Sequence, residues 1–305
     1  MRKWAVILCF LLAPLGVKGQ LEPLSDQYLL NTLAINPAYA GSREALSISM
    51  HHRNQWTGFD GAPKTLSLAM HAPLRNEKVG LGLVALNDHR GISGQTAILG
   101  NFAYRILLNE GVLSFGLASG ISLLRNKWEE LVAVDPDDAL LNGNSEHYAQ
   151  INFSVGAFYS NDRLFLGLSL PMFLSHDFSS SSGKFELVND FQRYTYMIHG
   201  GYLFTLSPNW KLLPSSMIRY NASSNIQIDL NSFIIYHDKI WAGISYRSNK
   251  SVVGHLIYQI NNQLAAGYSY DVGFGKIGGY LGGSHEITIR YDFRYIIDVI
   301  GPRFF

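Results

Sequence analysis

Cysteine, long apolar segments and charged residues are all scarce in this 305-residue chain. The single cysteine, Cys9, lies in an amino-terminal apolar run, so a chain cleaved after that run has no disulfide, thiolate nucleophile or cysteine metal site. No later apolar stretch approaches the length of a transmembrane helix. Charged residues make up 15%, against roughly 25% in soluble domains. A net charge of +1 gives no reason to expect a nucleic-acid partner.

The amino terminus has the layout of a signal peptide. Arg2 and Lys3 form a basic region, residues 4–15 are mostly apolar, and small residues within 16–19 suit cleavage before Gln20. The apolar run is short for a retained anchor helix, and Cys9 lies inside it rather than at its end, which disfavours a lipoprotein. We therefore expect residues 1–19 to be a cleaved signal peptide and the chain to be exported.

What the sequence does contain is apolar residues spread over alternate positions. Hydrophobic residues make up 47% of the chain and aromatic residues 13%. Near the carboxyl end, Ile287 and Ile289 share one strand face, while Glu286, Thr288 and Arg290 share the other. Charges on every second residue need a wet face, as in the lumen of a membrane β-barrel. The alternative, a soluble β-sandwich, normally carries more charge.

This alternation and the loops between the segments predict the architecture. The alternating segments lie at about 46–50, 65–70, 79–88, 96–106, 112–124, 147–160, 164–170, 192–206, 210–220, 225–236, 240–247, 251–260, 263–271 and 285–295. Short turns at 73–78, 109–111, 161–163, 207–209, 237–239 and 261–262 alternate with mostly longer loops at 54–63, 89–95, 125–146, 171–191 and 272–284, although 221–224 and 248–250 are short. We predict an all-β protein, an outer-membrane antiparallel β-barrel of about fourteen strands with short periplasmic turns, longer extracellular loops and both termini periplasmic.

A barrel of this size has a lumen too wide for its wall side chains to fill. Either something plugs it or it conducts, and the available fillers are residues 21–41 and the loops 125–146 and 171–191. We therefore divide the mature chain into residues 20–42, a periplasmic amino-terminal segment or plug, and residues 43–305, the transmembrane barrel. Tyrosines near segment ends suit aromatic girdles at the bilayer interfaces, although tyrosine also favours strands in general. They are Tyr104, Tyr159, Tyr194, Tyr220, Tyr236, Tyr246, Tyr258, Tyr270 and Tyr291.

Motifs of catalysis and cofactor binding are not found in the sequence. His51 and His52 are neighbours, so on a strand they point to opposite faces and cannot chelate one metal together. The acidic residues within 135–138 lack regular calcium-loop spacing and read as a solvated loop. The glycines at 278–279 and 282–283 are not followed by the residues of a phosphate loop. We expect no enzyme activity, no cofactor and no metal.

Three local strings resemble the PorP/SprF family of type IX secretion system membrane proteins. The first is Gln-Tyr at 27–28 with Ile-Asn-Pro-Ala-Tyr-Ala-Gly-Ser at 35–42. The second is residues 53–65, followed by His-Ala-Pro-Leu at 71–74. The third is Gly-Pro-Arg-Phe-Phe at 301–305, after His-Glu at 285–286 and Arg-Tyr-Asp-Phe at 290–293. The resemblance covers the mature chain from end to end, and the first two strings are quite specific.

The resemblance implies an outer-membrane component of the secretion and gliding-motility machinery of a Gram-negative bacterium. Its partners would be other type IX components and a large secreted, adhesin-like protein with a C-terminal sorting domain, which it helps to export or to anchor at the surface. A passive outer-membrane channel or a hydrophobic-substrate transporter is the alternative. Phe305 resembles the terminal aromatic residue that marks barrels for assembly.

The first two strings supply the candidate contacts with a partner or with a plug. Trp56 and Phe59 are too large and apolar to lie solvated on a loop, so we expect them to pack into the barrel mouth or to meet a partner. Packing inward, as a partial cap, is the favoured reading. The full candidate set is Tyr28, Asn36, Pro37, Tyr39, Arg53, Gln55, Trp56, Gly58, Phe59, Gly61 and Pro63.

Overall fold

The computed structural model describes residues 25–75, 77–127, 146–171, 175–179, 184–188, 191, 194–222, 226–274 and 282–293. The predicted signal peptide, the acidic residues 135–138, the glycines at 278–279 and the carboxyl-terminal string at 301–305 lie outside these ranges. Within them, no helix is long and apolar enough to cross a membrane.

In the described part of the chain, seventeen strands follow two short 3₁₀ helices, Thr32–Ala34 and Pro37–Tyr39. The strands are β1 (Leu46–Asn54), β2 (Lys64–Pro73), β3 (Val79–Arg90), β4 (Ser93–Leu108), β5 (Gly111–Asn126), β6 (Glu146–Ser160), β7 (Leu164–Leu170), β8 (Ser175–Ser179), β9 (Lys184–Val188), β10 (Tyr196–Tyr202), β11 (Phe204–Ser207), β12 (Trp210–Tyr220), β13 (Gln227–Tyr236), β14 (Ile240–Arg247), β15 (Ser251–Gln259), β16 (Leu264–Gly273) and β17 (Ser284–Phe293). All strands except β8 and β9, which pair only with each other, form one sheet.

The sheet closes into an antiparallel barrel. Its order runs from β10 through β7 to β1, and then from β17 down to β11, while β10 also pairs with β12. Because β10 and β11 are one wall strand interrupted at Leu203, the fifteen strands of the sheet make a wall of fourteen. The predicted fold class and strand number are confirmed. Closure leaves the wall no free edge, as a bilayer requires.

Burial along the strands follows the predicted two-residue alternation. In β17, Glu286, Thr288 and Arg290 are buried in the lumen, while Ile287 and Ile289 are exposed on the outside. The strand β1 behaves alike, with Ser49 and His51 inside and Met50 outside. The core of this protein therefore lies in the lumen and is largely polar, with two apolar clusters around Leu30 and Leu33 of the amino-terminal segment. Most of the other large apolar side chains form the lipid-facing surface.

The connections sort by length, as predicted, with one correction. At one end of the barrel the turns are residues 74–78, 109–110, 161–163, 208–209, 237–239 and 260–263. At the other end lie 55–63, 127–145, 171–195 and 274–283, together with shorter connections. The expected long loop at 89–95 is wrong, because β3 and β4 continue pairing to Arg90 and Ser93. Only Gly91 and Ile92 connect them, and Gly91 adopts φ +55°.

We call the end with the short turns the inner, periplasmic end and the other the outer, extracellular end. Most of the predicted girdle tyrosines point outward near one end or the other. Tyr236 and Tyr258 lie at the inner end, and Tyr220 and Tyr246 at the outer end, each more than a third exposed. Tyr194 is the exception, because it is only 5% exposed. It precedes β10 instead of lying on a lipid-facing strand position.

Candidate functional site

Residues 25–44 run through the lumen of the barrel, and we call them the plug. At its amino end, Gln27 donates to Ser269 of β16 over 2.8 Å. Further on, Asn36 donates to the Ala157 carbonyl of β6 over 3.0 Å, and β6 lies seven strands from β16 around the wall of fourteen. Tyr28, Leu33, Asn36, Ala38 and Ala40 are almost completely buried. A segment bonded to strands on opposite sides of a closed wall obstructs the lumen.

Local sequence chemistry sets the shape of the plug. Asn36 is the N-cap of the second 3₁₀ helix, and its side-chain oxygen accepts a hydrogen bond from the amide of Ala38 over 3.0 Å. Pro37 occupies the first helical position, where its missing N–H costs nothing. Gly41 then adopts φ +79°, which a residue with a side chain rarely does. The Asn-Pro-Ala-Tyr-Ala-Gly string is thus a compact turn and not a strand.

The outer half of the plug is held by buried charges. The Asp26 carboxylate pairs with the guanidinium groups of Arg53 on β1 and Arg247 on β14, the latter at 2.6 Å. All three side chains are at most 5% exposed. One residue of the plug therefore joins two wall strands that lie several strands apart in the sheet.

Three wall carboxylates complete this cluster. Arg53 pairs with Glu286 at 2.9 Å and with Asp271 at 3.1 Å. Arg247 pairs with Asp229 at 3.1 Å. We call these three carboxylates with Asp26, Arg53 and Arg247 the latch. Buried charges at this density are tolerated only because each has an opposite charge within reach.

Backbone groups of the plug also bind the latch. The amides of Asp26 and Gln27 donate to the Glu286 carboxylate over 2.9 and 2.7 Å. The Ser25 hydroxyl donates to the same group over 3.0 Å. Glu286 is fully buried and thus receives three hydrogen bonds from the plug in addition to its pairing with Arg53. Together with Arg53 and Arg247, it fixes the amino end of the plug.

The pKa values of the plug residues follow from this burial. Burial by itself raises the pKa of the Asp26 carboxyl. The guanidinium groups of Arg247 and Arg53 together lower it by more, so the pKa is about 2. Burial raises the pKa of the Tyr28 phenol to about 12. At neutral pH Asp26 is therefore charged and Tyr28 protonated. The phenol donates to Ser215 over 3.2 Å and accepts from Asn231 over 2.9 Å.

The inner half of the plug packs its backbone directly on wall glycines. A Cβ atom at Gly116 of β5 would overlap the Ala38 amide and the Pro37 carbonyl carbon. A Cβ atom at Gly80 of β3 would overlap the Ala40 carbonyl. At Gly156 of β6 it would overlap the side chain of Asn36. We call Gly80, Gly116 and Gly156 the glycine seat.

Polar contacts of the inner half supplement this close packing. The Asn36 side-chain amide donates to the wall carbonyls of Ala157 and Leu168 over 3.0 and 3.3 Å. The Gly41 amide donates to Nδ1 of His71 over 3.1 Å. Below the glycine seat, Arg43 pairs with Asp292 at 2.9 Å. The plug is thus anchored at both ends of the lumen.

A small cavity remains beside the plug. Its volume is about 120 Å³, and it lies between plug residues such as Asn31 and Leu33 and the inner faces of β1 to β6. Ser67 and Asn101 contribute polar atoms to its lining, and Val84 and Ala97 contribute apolar ones. A space of this size holds a few water molecules.

The candidate residues of the first string and Arg53 meet in the lumen. Tyr28 and Asn36 make the contacts given above, and Tyr39 stacks edge-on against His71 and Phe158 with ring centroids 5.3 Å apart in each case. Arg53 belongs to the latch. These residues therefore contact plug and wall, although they come from separate parts of the sequence.

The remaining candidates form the loop 55–63 at the outer end. Its base closes where the Gln55 amide donates to the Pro63 carbonyl over 2.9 Å. Gly58 and Gly61 adopt φ +92° and +74°. Trp56 is 37% exposed and Phe59 57% exposed. Contrary to the favoured expectation, these rings do not pack into the barrel mouth.

Neighbouring connections hold this loop away from the lumen. The Thr57 amide donates to Gly283 over 2.9 Å, before β17, and the Gly91 amide donates to Gly61 over 2.8 Å. The loop is thus bound on both flanks, and its two large rings project from the surface. That arrangement explains why they are exposed.

Sequence reasoning missed most of the latch. Asp26, Asp229, Arg247 and Asp271 were not singled out, and Glu286 was noted only for its face. A usable signal was present, because Asp229, Arg247 and Asp271 all lie on inward positions near the outer ends of their strands. Alternation alone did not say which of them meet. Among the residues that the structure describes, no group of histidines, cysteines or carboxylates is arranged to hold a metal ion.

A family model described as type IX secretion system membrane protein PorP/SprF matches residues 17–291. The chain belongs to the PorP/SprF family. The match extends from before the plug through nearly all of β17, so the plug and the latch lie inside the part that this PorP/SprF chain shares with its family. No curated protein sequence matches it significantly.

Solved structures similar to this PorP/SprF protein are outer-membrane barrels. The CymD monoaromatic hydrocarbon channel shares 13% identity with a TM-score of 0.52, covering 91% of this chain and 95% of the other. A Pseudomonas aeruginosa FadL homologue has 11% identity, a TM-score of 0.49 and coverage of 86% and 94%. Acinetobacter baumannii Omp33 has 7% identity, a TM-score of 0.47 and coverage of 82% and 99%. At such identities the likeness to CymD is one of fold alone. Family and fold together place the protein in the outer membrane of a Gram-negative bacterium.

Proposed function

We propose that this protein is a non-enzymatic component of the type IX secretion and gliding machinery that helps to export, or to anchor at the surface, large proteins with C-terminal sorting domains. Membership of the PorP/SprF family supports the link to secretion. The observation that carries the proposal against a passive channel is the plug, because it runs through the lumen and is bonded to opposite walls, at Ser269 and at Ala157.

The plug is built to remain in place. Its outer half ends in the latch, where Asp26 joins Arg53 and Arg247, and its inner half has no room to shift against the glycine seat. A steady diffusion path for solutes needs a lumen free of such a segment. The wall of this protein therefore serves to present a surface rather than to pass solutes.

The surface that we propose for a partner is the loop 55–63. Trp56 and Phe59 are exposed there on a short loop whose backbone is bonded to both neighbouring connections. Large rings on a rigid support are frequent anchors of protein interfaces, because little conformational entropy is lost when they are covered. Gly58 and Gly61 give the loop its shape, and Gln55 and Pro63 close its base.

Co-purification from gently solubilised membranes tests this function. We expect a secreted protein with a C-terminal sorting domain, or other secretion components, to be recovered with the wild-type barrel. The double variant Trp56→Ala and Phe59→Ala should recover less of it, whereas Asp60→Ala, an exposed change on the same loop, should recover as much as wild type. Recovery at background level with the wild-type protein would contradict the proposal. Equal recovery with all three proteins would show that the loop 55–63 is not the partner surface, without contradicting the proposed role in secretion.

Planar-bilayer recording separates the alternative, a passive channel or hydrophobic-substrate transporter. The wild-type barrel should be electrically silent, and a variant lacking residues 25–40 should conduct. Steady conductance of the intact protein would favour the channel.

A further inference from the structure

The plug has a direction, and its amino end lies at the outer end of the barrel. Asp26 contacts Arg53 beside the end of β1 and Arg247 at the end of β14. Both strand ends lead into connections of the outer end, 55–63 and 248–250. Glu286, which binds the amides of Asp26 and Gln27, lies close after the connection 274–283.

The carboxyl end of the plug lies at the inner end. Gly41 packs against Gly80 and Pro73, which flank the inner turn 74–78. Arg43 pairs with Asp292 near the inner end of β17. The chain then turns into β1 and rises through the wall. The plug therefore descends through the lumen from outside to inside before the first strand begins.

The chain before Ser25 is too short to return through the lumen to the periplasmic end. If cleavage occurs before Gln20, only residues 20–24 precede Ser25, and five residues reach at most roughly 17 Å. The lumen is longer, because the nine residues of β1 span roughly 30 Å along a tilted strand, a height of roughly 22 Å. The lumen itself is also filled by the plug, since its residues Leu33, Ala38 and Ala40 are at most 3% exposed.

We infer that the mature amino terminus of this barrel faces the cell exterior, not the periplasm. This inference does not depend on the identity of any secreted partner. It replaces the expectation of two periplasmic termini, which followed from an even strand count without a threaded plug. It also means that a macromolecule at the outer mouth meets the amino terminus, with the latch immediately behind it.

Cysteine labelling on intact cells tests the inference, and the mature chain offers a clean background because Cys9 is the only cysteine. Glu22→Cys should react with a membrane-impermeant maleimide on intact cells. Asp60→Cys, on the outer loop 55–63, is the positive control. Asp238→Cys, in the inner turn 237–239, should react only after the outer membrane is permeabilised.

An epitope tag inserted between Glu22 and Pro23 gives a second measurement, read with an antibody on intact cells. Folding is checked by the heat-modifiable mobility of the barrel in gel electrophoresis, and the amino terminus by mass spectrometry. Labelling of Glu22→Cys at least tenfold above Asp238→Cys on intact cells supports the inference. Protection of Glu22→Cys and of the tag until permeabilisation, with Asp60→Cys labelled, overturns it. Reversal of the two controls overturns it as well, because the barrel would then be inverted.

Discussion

The two halves of the plug are held by different physical means. The outer half depends on the latch, in which Asp26 meets two guanidinium groups and Glu286 receives backbone amides. The inner half depends on the glycine seat, where Gly80 and Gly116 meet plug backbone directly and Gly156 leaves room for the Asn36 side chain. Charge pairing can be altered by substitution or by pH, whereas close packing is altered only by changing the volume of the wall. The two halves should therefore respond to different perturbations.

The largest effect on conductance is expected at the glycine seat. Gly116→Leu puts a side chain where the Ala38 amide and the Pro37 carbonyl lie, so the inner half of the plug cannot dock. Overpacking of this kind costs about 1–3 kcal/mol or more, and here the obstructed group is backbone. We expect steady conductance in planar bilayers and a lower urea midpoint of unfolding. Gly254→Leu, at an outward position with open space around it, is the control and should stay silent. A silent, stable Gly116→Leu barrel would contradict the packing argument.

The second effect concerns the latch. Arg53→Ala leaves Asp26, Asp271 and Glu286 without one of their cations in a buried site. Removing one partner of a buried ion pair costs about 3–5 kcal/mol. Since the glycine seat is intact, we expect a large loss of stability in urea unfolding but only brief conductance events. Lys211→Ala, which breaks an exposed ion pair with Asp238 of the inner turn 237–239, should cost at most about 1 kcal/mol. Equal losses of unfolding free energy for both variants would show that the latch stabilises the barrel no more than a surface ion pair does.

The smallest effect is a pH dependence of the outer half alone. The pKa of Asp26 is lowered from its ordinary 3.8 to about 2. The stabilisation of the plug by the charged Asp26 is therefore fully present above about pH 4. That contribution is lost as the pH falls towards 2, because the carboxyl takes up a proton and its attraction to Arg53 and Arg247 weakens. We expect Ser25→Cys to become more reactive to 2,2′-dipyridyl disulfide, a reagent that modifies thiols in acid, as the pH falls across this range. In an Asp26→Asn background the change attributable to this group should vanish. Persistence of the full change there would assign it to other groups.

Much of the wall was predictable because β-barrel alternation is a local property. The inward Glu286, Thr288 and Arg290, the outward Ile287 and Ile289, and the inner turns could all be read from the chain and are confirmed. Local reading failed at the expected loop 89–95, where pairing continues to Arg90 and Ser93, because the length of a hairpin depends on both strands. The prediction that Trp56 and Phe59 pack inward failed for a similar reason, since bonds to two neighbouring connections hold that loop outward.

The sequence by itself determined the alternation, the inner turns and the compact turn around Pro37, because each depends on residues within a few positions of one another. Only the tertiary structure decided that Asp26 meets Arg53 and Arg247, and that Gly116 lies beneath Ala38. These partners are separated by tens to hundreds of residues. Closure of the barrel sets their relative positions, and the path of the plug selects among the inward groups that alternation leaves equivalent.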